Sequence, residues 1–551
     1  MATKPDRKKL IQMLQDMAQL MKILGENDFK IRAFEKGAGA LEASEAGLDD
    51  IARGKIKVAG IGDGLKSAIR EFLEDGDIKA HAELSAKVPA GVIALLEIPG
   101  LGPKKAMMLH EELGVATIGE LEYACRENRL ISIKGFGPAM QEKVLKSIEQ
   151  WKQSQGKLLL DAALELYARI EKKLHGEFKG AAVRAVGQLG RYREIIEHLE
   201  VVVSGKVSVA AAKEALAGFL DDSAERDEHG LHAITGVFKD GVRLTLWISP
   251  QEPDANLLLW LMADEILRPR LASDAAAFHS WEFTWLESEW TGRKRNPSAD
   301  AYRVGRDGGV RGIFHNHTNF SDGRNTLEQM VRAAEKLGFE YIGISDHSQS
   351  AFYAHGLKPD RIREQRKLIG ELQKGVSIRI FHGVESDILA DGALDYDRDV
   401  LESFDFIVGS VHSRFKLDEK EMTARLVRAL SHPAVTIWGH PTGRLVLGRA
   451  GYALDWDACL AAAAKNGVAV ELNAHPQRLD VDWRMGAELE RREVSICINP
   501  DAHSVEGLSD TRIGERIAEK SMIPRHLILN RRGVSEMEKY LWQRKKRLKA
   551  S

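Results

Sequence analysis

Nine residues between Phe314 and Ser504 are of the types that hold divalent metals: His315, His317, Asp322, His347, Glu385, His412, His440, Asp501 and His503. Several close short apolar runs, RGIFHNH, YIGISDH, FDFIVGSVH, VTIWGH and VSICINPDAH. A buried strand delivers a side chain to its C-terminal mouth with little freedom, which is the rigidity a metal site needs. Imidazole and carboxylate together suit Zn²⁺, Mn²⁺ or Fe²⁺, and a carboxylate can bridge two ions. Metals clustered at strand ends point to hydrolysis of an anionic substrate such as a phosphoester. In HNH the alternate residues His315 and His317 share one side of a strand, so they reach the same ion.

The elements around these residues fit that reading. From about Arg311, apolar strand-like runs alternate with amphipathic segments, TLEQMVRAAEKLGF, RIREQRKLIGELQK, MTARLVRALSH and ALDWDACLAAAAKNG. Such a βα repeat forms a parallel sheet or barrel with its site at the strand C-termini. The tail KKRLKAS is basic and expected to fray. Ahead of the repeat, RKRNPSADAYRVGRDGGVRG reads as a linker.

Upstream the chain changes character. To about Lys152 it reads as helices, beginning with KKLIQMLQDMAQLMKIL. One pattern occurs three times there, in VAGIGDGLKSAI, LLEIPGLGPKKAMML and ISIKGFGPAMQEKVL. An apolar stem, a Gly-x-Gly turn and a new helix aim free backbone N–H groups outward, which suits a phosphate. The candidate contacts are the backbone at Gly60, Gly62, Gly100, Gly102, Gly135 and Gly137, with Lys104, Lys105 and Lys143 beside them. This is the helix-hairpin-helix pattern, which grips DNA backbone without reading sequence; glycine-turned packing hairpins are the alternative. From Gln153 to Asp300 a helix, LLLDAALELYARIEKKL, mixes with strand-like AAVRAVGQL, LEVVVSG, HAITGVF and VRLTLWIS, an α+β pattern.

Composition bounds these assignments. A chain of 551 residues is too long for one core. Its formal net charge of -2 argues against a uniformly basic nucleic-acid binder, while leaving local basic patches open. Hydrophobic content of 44% and charged content of 29% are those of a soluble globular protein. Cys125, Cys459 and Cys497 have no paired spacing, which fits a reducing cytoplasm, and no stretch approaches a membrane span.

Along nearly its whole length the chain resembles the bacterial X-family DNA polymerases, in which a polymerase β-like core is fused to a polymerase-and-histidinol-phosphatase (PHP) phosphoesterase domain. The likeness rests on GENDFKIRAF, the repeated hairpin turns, and FHNHTNFSDG, ISDHS, GVESDILADGALD, GSVHS, GHPTGR, ELNAHPQRLD and NPDAHS. It implies an N-terminal helical DNA-binding domain over 1–80, a helix-hairpin-helix domain over 81–152, a palm and thumb remnant over 153–300 and an α/β PHP barrel over 305–551. It also implies three divalent ions, Mn²⁺ or Zn²⁺ with Fe²⁺ as an alternative. His315, His317, Glu385 and Asp501 would hold one. Glu385 would bridge to a second held by His412 and His440, and Asp322, His347 and His503 would hold a third. Arg444 in HPTGR and Arg478 in HPQRLD match phosphate by charge and geometry, with surface salt bridges as the competing role. His355, His382, His432 and His475 are expected to be hydrogen-bonded loop histidines.

The middle region departs from the family. In GQLGRYREIIEHLEVVV, Gln188 stands at the serine of the Gly-Ser turn and Gly190 at an arginine. His198 and Glu200 stand at the paired aspartates, and Arg243 takes the third aspartate position. Two-metal nucleotidyl transfer needs carboxylates around Mg²⁺, and these residues do not supply them. Ala68 falls at the lyase lysine, with Lys66 two residues away.

The expected protein is a monomeric, cytoplasmic phosphodiesterase of the DNA-repair type that holds DNA by backbone contacts. Its expected activity is a 3′→5′ exonuclease, with 3′-phosphatase or abasic-site cleavage also allowed, acting through Glu385, Asp501, His503, Arg444 and Arg478. The alternatives are an active gap-filling polymerase, a phosphatase for a small phosphomonoester such as histidinol phosphate, and a non-enzymatic DNA-binding scaffold.

Overall fold

In a computed structural model the described residues are 7–550, apart from 43, 45, 97, 99–100, 155, 239–240, 265, 269–303 and 306–308. Gly100 and most of the 293–312 linker lie outside them. The described chain forms two compact units, 1–125 with 133–148, and 126–132 with 149–551.

The first unit is helical. Apolar residues at helical spacing bury Leu10, Leu14, Met17 and Met21 along Arg7–Ile23. Helices Asp63–Asp75, Pro103–Leu113 and Pro138–Ser154 each follow a glycine, Gly62, Gly102 and Gly137. Gly60 and Gly135 adopt φ of 96° and 92°, a left-handed backbone that only glycine enters without strain.

In the second unit, a five-stranded sheet comes first: β1 (Ala182–Val186), β2 (His198–Ser204), β3 (Leu220–Glu228), β4 (Leu231–Phe238) and β5 (Arg243–Ser249). Its order is β1-β2-β5-β4-β3, with β2 and β5 parallel and the remaining pairs antiparallel. The acidic edge strand β3 (LDDSAERDE) carries no apolar alternation, so nothing in the sequence marks it as a strand.

Seven parallel strands follow: β6 (Gly312–Ile313), β7 (Tyr341–Ile344), β8 (Arg379–Asp387), β9 (Phe406–Ser410), β10 (Ile437–Trp438), β11 (Ala469–Asn473) and β12 (Ile496–Asn499). They hydrogen-bond in chain order. A parallel bridge between Asn316 and Ala502 draws the first and last strands together, so the barrel is nearly closed. Phe314, Tyr341, Phe381, Phe406, Ile437, Ala469 and Cys497, one from each strand or its continuation, pack into a single buried cluster with Leu529, Met537 and Leu541. That cluster is the barrel floor. A Cβ on Gly343 or Gly383 would lie 2.6 or 2.3 Å from the Phe406 ring, so these strands stay bare where the ring sits.

Connecting helices start on side-chain caps: Thr326 with Gln329 in a capping box, Asp418, and Asp455. The basic tail is helical through Ala550, with Leu548 buried. It continues the helix Val534–Ala550, in which Arg544 is buried and donates to the carbonyls of Asn466, Gly467 and Val435. His382 lies within β8, not in a loop. All three cysteines are buried and free, and no described helix is long and apolar enough to cross a membrane.

Candidate metal centre

Side chains two apart on a strand share a face, so the floor residues fix what stands above them. On β8, Phe381 leads to Gly383 and Glu385; on β11, Ala469 leads to Glu471 and Asn473; on β12, Cys497 leads to Asn499. The barrel thus passes from an aromatic floor to buried polar groups at its C-terminal mouth.

All nine expected ligands meet there. His317, Asp322, His347 and His503 form one set able to hold an ion, and His315, His317 and Asp501 form another. Glu385 belongs to two more, with His315 and His440 and with His347 and His412. It is 1% exposed. Three imidazole nitrogens converge on its Oε1, His440 Nε2 at 2.9 Å and His315 Nε2 and His412 Nε2 at 3.2 Å each. His347 Nδ1 lies 2.9 Å from Oε2. His317 stands with Asp322 and His503 as well as with His315, so the sets overlap more than the partition implied by the family resemblance. Asp501 (φ 53°) and His440 (φ 23°) sit in left-handed backbone, a strain that proteins retain chiefly at functional sites.

Orphaned buried atoms test whether metals fit. His315 Nε2, both ring nitrogens of His317 and His347, His412 Nε2, His503 Nε2, Asp322 Oδ2 and Glu385 Oε2 are buried without a hydrogen-bond partner. So many bare donor atoms facing one another would be costly unless cations bound them. The donor set fits divalent ions.

Electrostatics divide the cluster: against burial, the neighbouring carboxylates raise His315, His347 and His412 above the ordinary imidazole value. Burial opposes ionisation of Glu385, but His412, His315 and His347 hold its carboxyl well below the usual range. Asp501 is likewise held well down against burial, chiefly by His315 and His317. Burial, with His503 and His347 beside it, pushes His317 down to about 3. Burial, with Arg478 beside it, pushes His440 down to about 4. Both rings are neutral at pH 7.

A second ring of groups orients these ligands, and sequence reasoning missed it. Glu471 accepts from His315 Nδ1 (2.8 Å), the His440 backbone N–H (2.7 Å), Asn499 Nδ2 (2.9 Å) and Asn473 Nδ2 (3.1 Å). Asp387 takes the Nδ1 proton of His412. Asp346 gathers Thr318, Ser321 and Gln365, fixing the loop that carries Asp322. A metal-binding histidine commonly gives its other N–H to such a carboxylate. The signal was there for Asp387, two residues beyond Glu385 on the same strand.

The two arginines differ. Arg478 is buried with Nε 3.3 Å from Asp501 Oδ2. Arg444 spends its fork on Asp482 and on the carbonyls of Arg478 and Leu479, holding the loop that presents Arg478. Of the other histidines, His382 Nε2 bonds Gln365 Oε1 at 3.1 Å, and His432 and His475 accept backbone N–H groups through Nδ1.

In the first unit, Gly62 and Gly102 offer no capping side chain, and a Cβ on Gly62, Gly102 or Gly137 would meet nothing within 4 Å. The first turns of these helices therefore lie open to an incoming group. Lys104 and Lys143 are exposed, and Lys105 reaches across to Phe136 and Met140. The hairpin at Gly62 is less suited to an anion, because Asp63 opens its helix.

Comparison with known proteins follows the same division. Residues 5–78 match a helix-hairpin-helix domain, 92–150 a SAM-like helix-hairpin-helix tandem and 314–475 the PHP domain. The DNA polymerase/3′-5′ exonuclease PolX of Bacillus subtilis is 30% identical over 97% of this chain and 99% of its own length. The chain belongs to the bacterial X-family DNA polymerases that carry a PHP domain. Probable phosphatases of Caldanaerobacter subterraneus and Acetivibrio thermocellus are 27% and 28% identical, over 42% and 43% of this chain and 92% and 96% of theirs. With the PHP domain and the buried His/Asp/Glu cluster, the family member described here is a metal-dependent phosphoesterase. Asp501 and His503 fall beyond the matched PHP stretch, yet they stand in the same cluster.

Proposed function

We propose that this family member is a 3′→5′ DNA exonuclease that has lost nucleotidyl transfer. One asymmetry carries the reading: the PHP cluster keeps all nine ligand-type residues facing inward, while Glu200, His198 and Gln188 at the polymerase positions are engaged by neighbouring groups. Glu200 accepts two bonds from Arg268 Nη2 (2.8 and 2.9 Å) and one from Trp247 Nε1 (3.4 Å). His198 Nε2 bonds Thr245 Oγ1 at 2.8 Å, and Arg243 lies in register with His198 across the parallel pair β2 and β5. Gln188 Oε1 accepts the backbone N–H groups of Glu197 and His198. A carboxylate neutralised by arginine and a neighbouring cation do not make a Mg²⁺ cage.

At the PHP site, Mn²⁺ or Zn²⁺ would supply an acidified water and neutralise phosphate charge. His315, His317, Glu385 and Asp501 would hold one ion, His412 and His440 a second through Glu385, and Asp322, His347 and His503 a third. Glu471 and Asp387 keep protons on the Nδ1 atoms of His315 and His412, so each presents a bare Nε2. Arg478 contacts the scissile phosphate, and Arg444 positions the loop beneath it. The hairpins at Gly102 and Gly137 hold the DNA backbone, in line with the matched helix-hairpin-helix domains.

The experiment is hydrolysis by the full chain with Mn²⁺ of end-labelled single-stranded DNA and, separately, of histidinol phosphate. The reading expects stepwise 3′ shortening that disappears in Asp501→Asn, with little turnover of the phosphomonoester. Efficient turnover of the small substrate without DNA shortening would favour the phosphatase named in the shorter relatives.

A further inference from the structure

The segment Arg126–Ser132 belongs to the second unit, although the chain on both sides of it belongs to the first. It connects the helix Ile118–Arg126 to the 3₁₀ turn Arg129–Ser132 and lies outside the stretch matched to the PHP domain. Three side chains pin it. Asn128, at φ 54°, donates through Nδ2 to the Asp322 carbonyl (3.0 Å) and accepts through Oδ1 from Arg324 Nε (3.2 Å). The Arg129 guanidinium lies 4.3 Å from the Tyr353 ring centre and its Nε 3.9 Å from Asp322 Oδ2. Glu127, 1% exposed, turns Oε2 to Arg129 and Oε1 to His503 Nε2, 3.7 Å away.

His503 shows what that carboxylate faces. Its Nδ1 lies 3.0 Å from the Asp501 carbonyl, which can only accept, so Nδ1 carries the proton. In a neutral ring Nε2 is then a bare lone pair, and its neighbours are Glu127 Oε1 and Asp322 Oδ1, the latter at 3.5 Å. Three acceptors pointed at one another in a buried place repel unless a proton or a metal cation lies among them. One ligand atom each from Glu127, Asp501 and His503 can be chosen within 4.8 Å of one another.

The geometry points to Glu127 as a tenth metal ligand, brought to the PHP cluster by the segment between the second and third hairpins. The inference rests on the cluster being a metal site, not on DNA being its substrate. Arg129 anchors the carboxylate by its other oxygen and Asn128 fixes the turn that aims it. Metal uptake would then steady this segment at the barrel mouth within the second unit.

The test uses the full chain stripped with chelator and titrated with Mn²⁺, with bound metal counted by mass spectrometry. Glu127→Gln should lose one ion per chain or bind its weakest ion at least tenfold less tightly. Lys134→Met, at an exposed residue outside this segment, should retain wild-type metal content. In the wild type, Mn²⁺ should slow hydrogen exchange over residues 126–132, a measurement that stands even if a variant fails to fold. Unchanged Mn²⁺ stoichiometry and affinity in a folded Glu127→Gln protein, or no change in wild-type exchange over this segment, would overturn the assignment and leave Glu127 as a buried partner of Arg129. DNA hydrolysis enters neither readout, so failure here is separable from failure of the exonuclease reading.

Discussion

Glu471 Oε1 takes the Nδ1 proton of His315 at 2.8 Å, and that bond leaves Nε2 of the same ring facing Glu385 and Asp501. Glu471 is fully buried, accepts from four donors and belongs to none of the candidate metal-holding groups among the described residues. Glu471→Gln should fold, because the amide oxygen keeps some of these bonds, yet bind Mn²⁺ about 10- to 100-fold more weakly. Glu471→Ala strands buried donors and should cost roughly 3 kcal/mol or more of stability. Metal titration with thermal melts separates the two effects; equal Mn²⁺ affinity in Glu471→Gln and wild type would remove the orienting role.

The convergence on Glu385 predicts a larger loss. Glu385→Ala should release more than one ion per chain and abolish hydrolysis, since two dications a few ångströms apart lose the carboxylate that offsets their repulsion. His355→Ala changes an αL residue after a short 3₁₀ turn and should keep most of the activity. Metal content of both variants beside a nuclease assay decides it. Full metal content in Glu385→Ala would rule out a bridging role.

At the hairpins, Gly102 (φ -78°, ψ 167°) has ordinary backbone and open space where a Cβ would go. Gly102→Glu with Gly137→Glu should therefore fold normally, while a carboxylate at the helix N-terminus repels phosphate. DNA affinity should fall at least tenfold, with no preference for sequence and a steep loss in salt in the wild type. Unchanged affinity at low salt would make these hairpins packing elements.

His382 gives a pH dependence separate from the cluster ligands. Burial, with Arg366 and Lys545 nearby, pushes its folded pKa down to about 3. In the unfolded chain it titrates near 6.5, so between these values the unfolded form binds the extra proton. The stability contribution is complete above about pH 6.5 and is lost as pH falls toward 3, at up to about 1.4 kcal/mol per pH unit. Urea unfolding of chelator-treated protein at pH 7, 6 and 5 should show a shallower acid loss in His382→Gln than in wild type. Identical slopes would mean that His382 does not titrate in this way.

The clustering of the nine residues was legible because each closes an apolar run or stands in a motif, and strand geometry carries such residues to one mouth. Two of the three Gly-x-Gly turns were legible because φ near 90° at Gly60 and Gly135 favours glycine there; Gly100 of the other lies outside the described residues. Glu471 and Asp346 were not, since their roles depend on donors brought from other strands. The acidic strand β3 hid because an exposed edge need not alternate, and the basic tail misled because Leu548 within it is buried and its carbonyl accepts from Arg398, far away in sequence. Glu127 lies 195 residues before Asp322 (322 − 127), in a segment that reads only as part of a hairpin domain.

The most direct measurement is a single reaction of purified protein, Mn²⁺ and all four deoxynucleotides on a gapped duplex labelled at the 5′ end of the primer. The asymmetry between the two sites predicts products shorter than the primer and none longer, with the primer left intact in Asp501→Asn. Template-dependent extension that persists in Asp501→Asn and disappears in His198→Ala would contradict it.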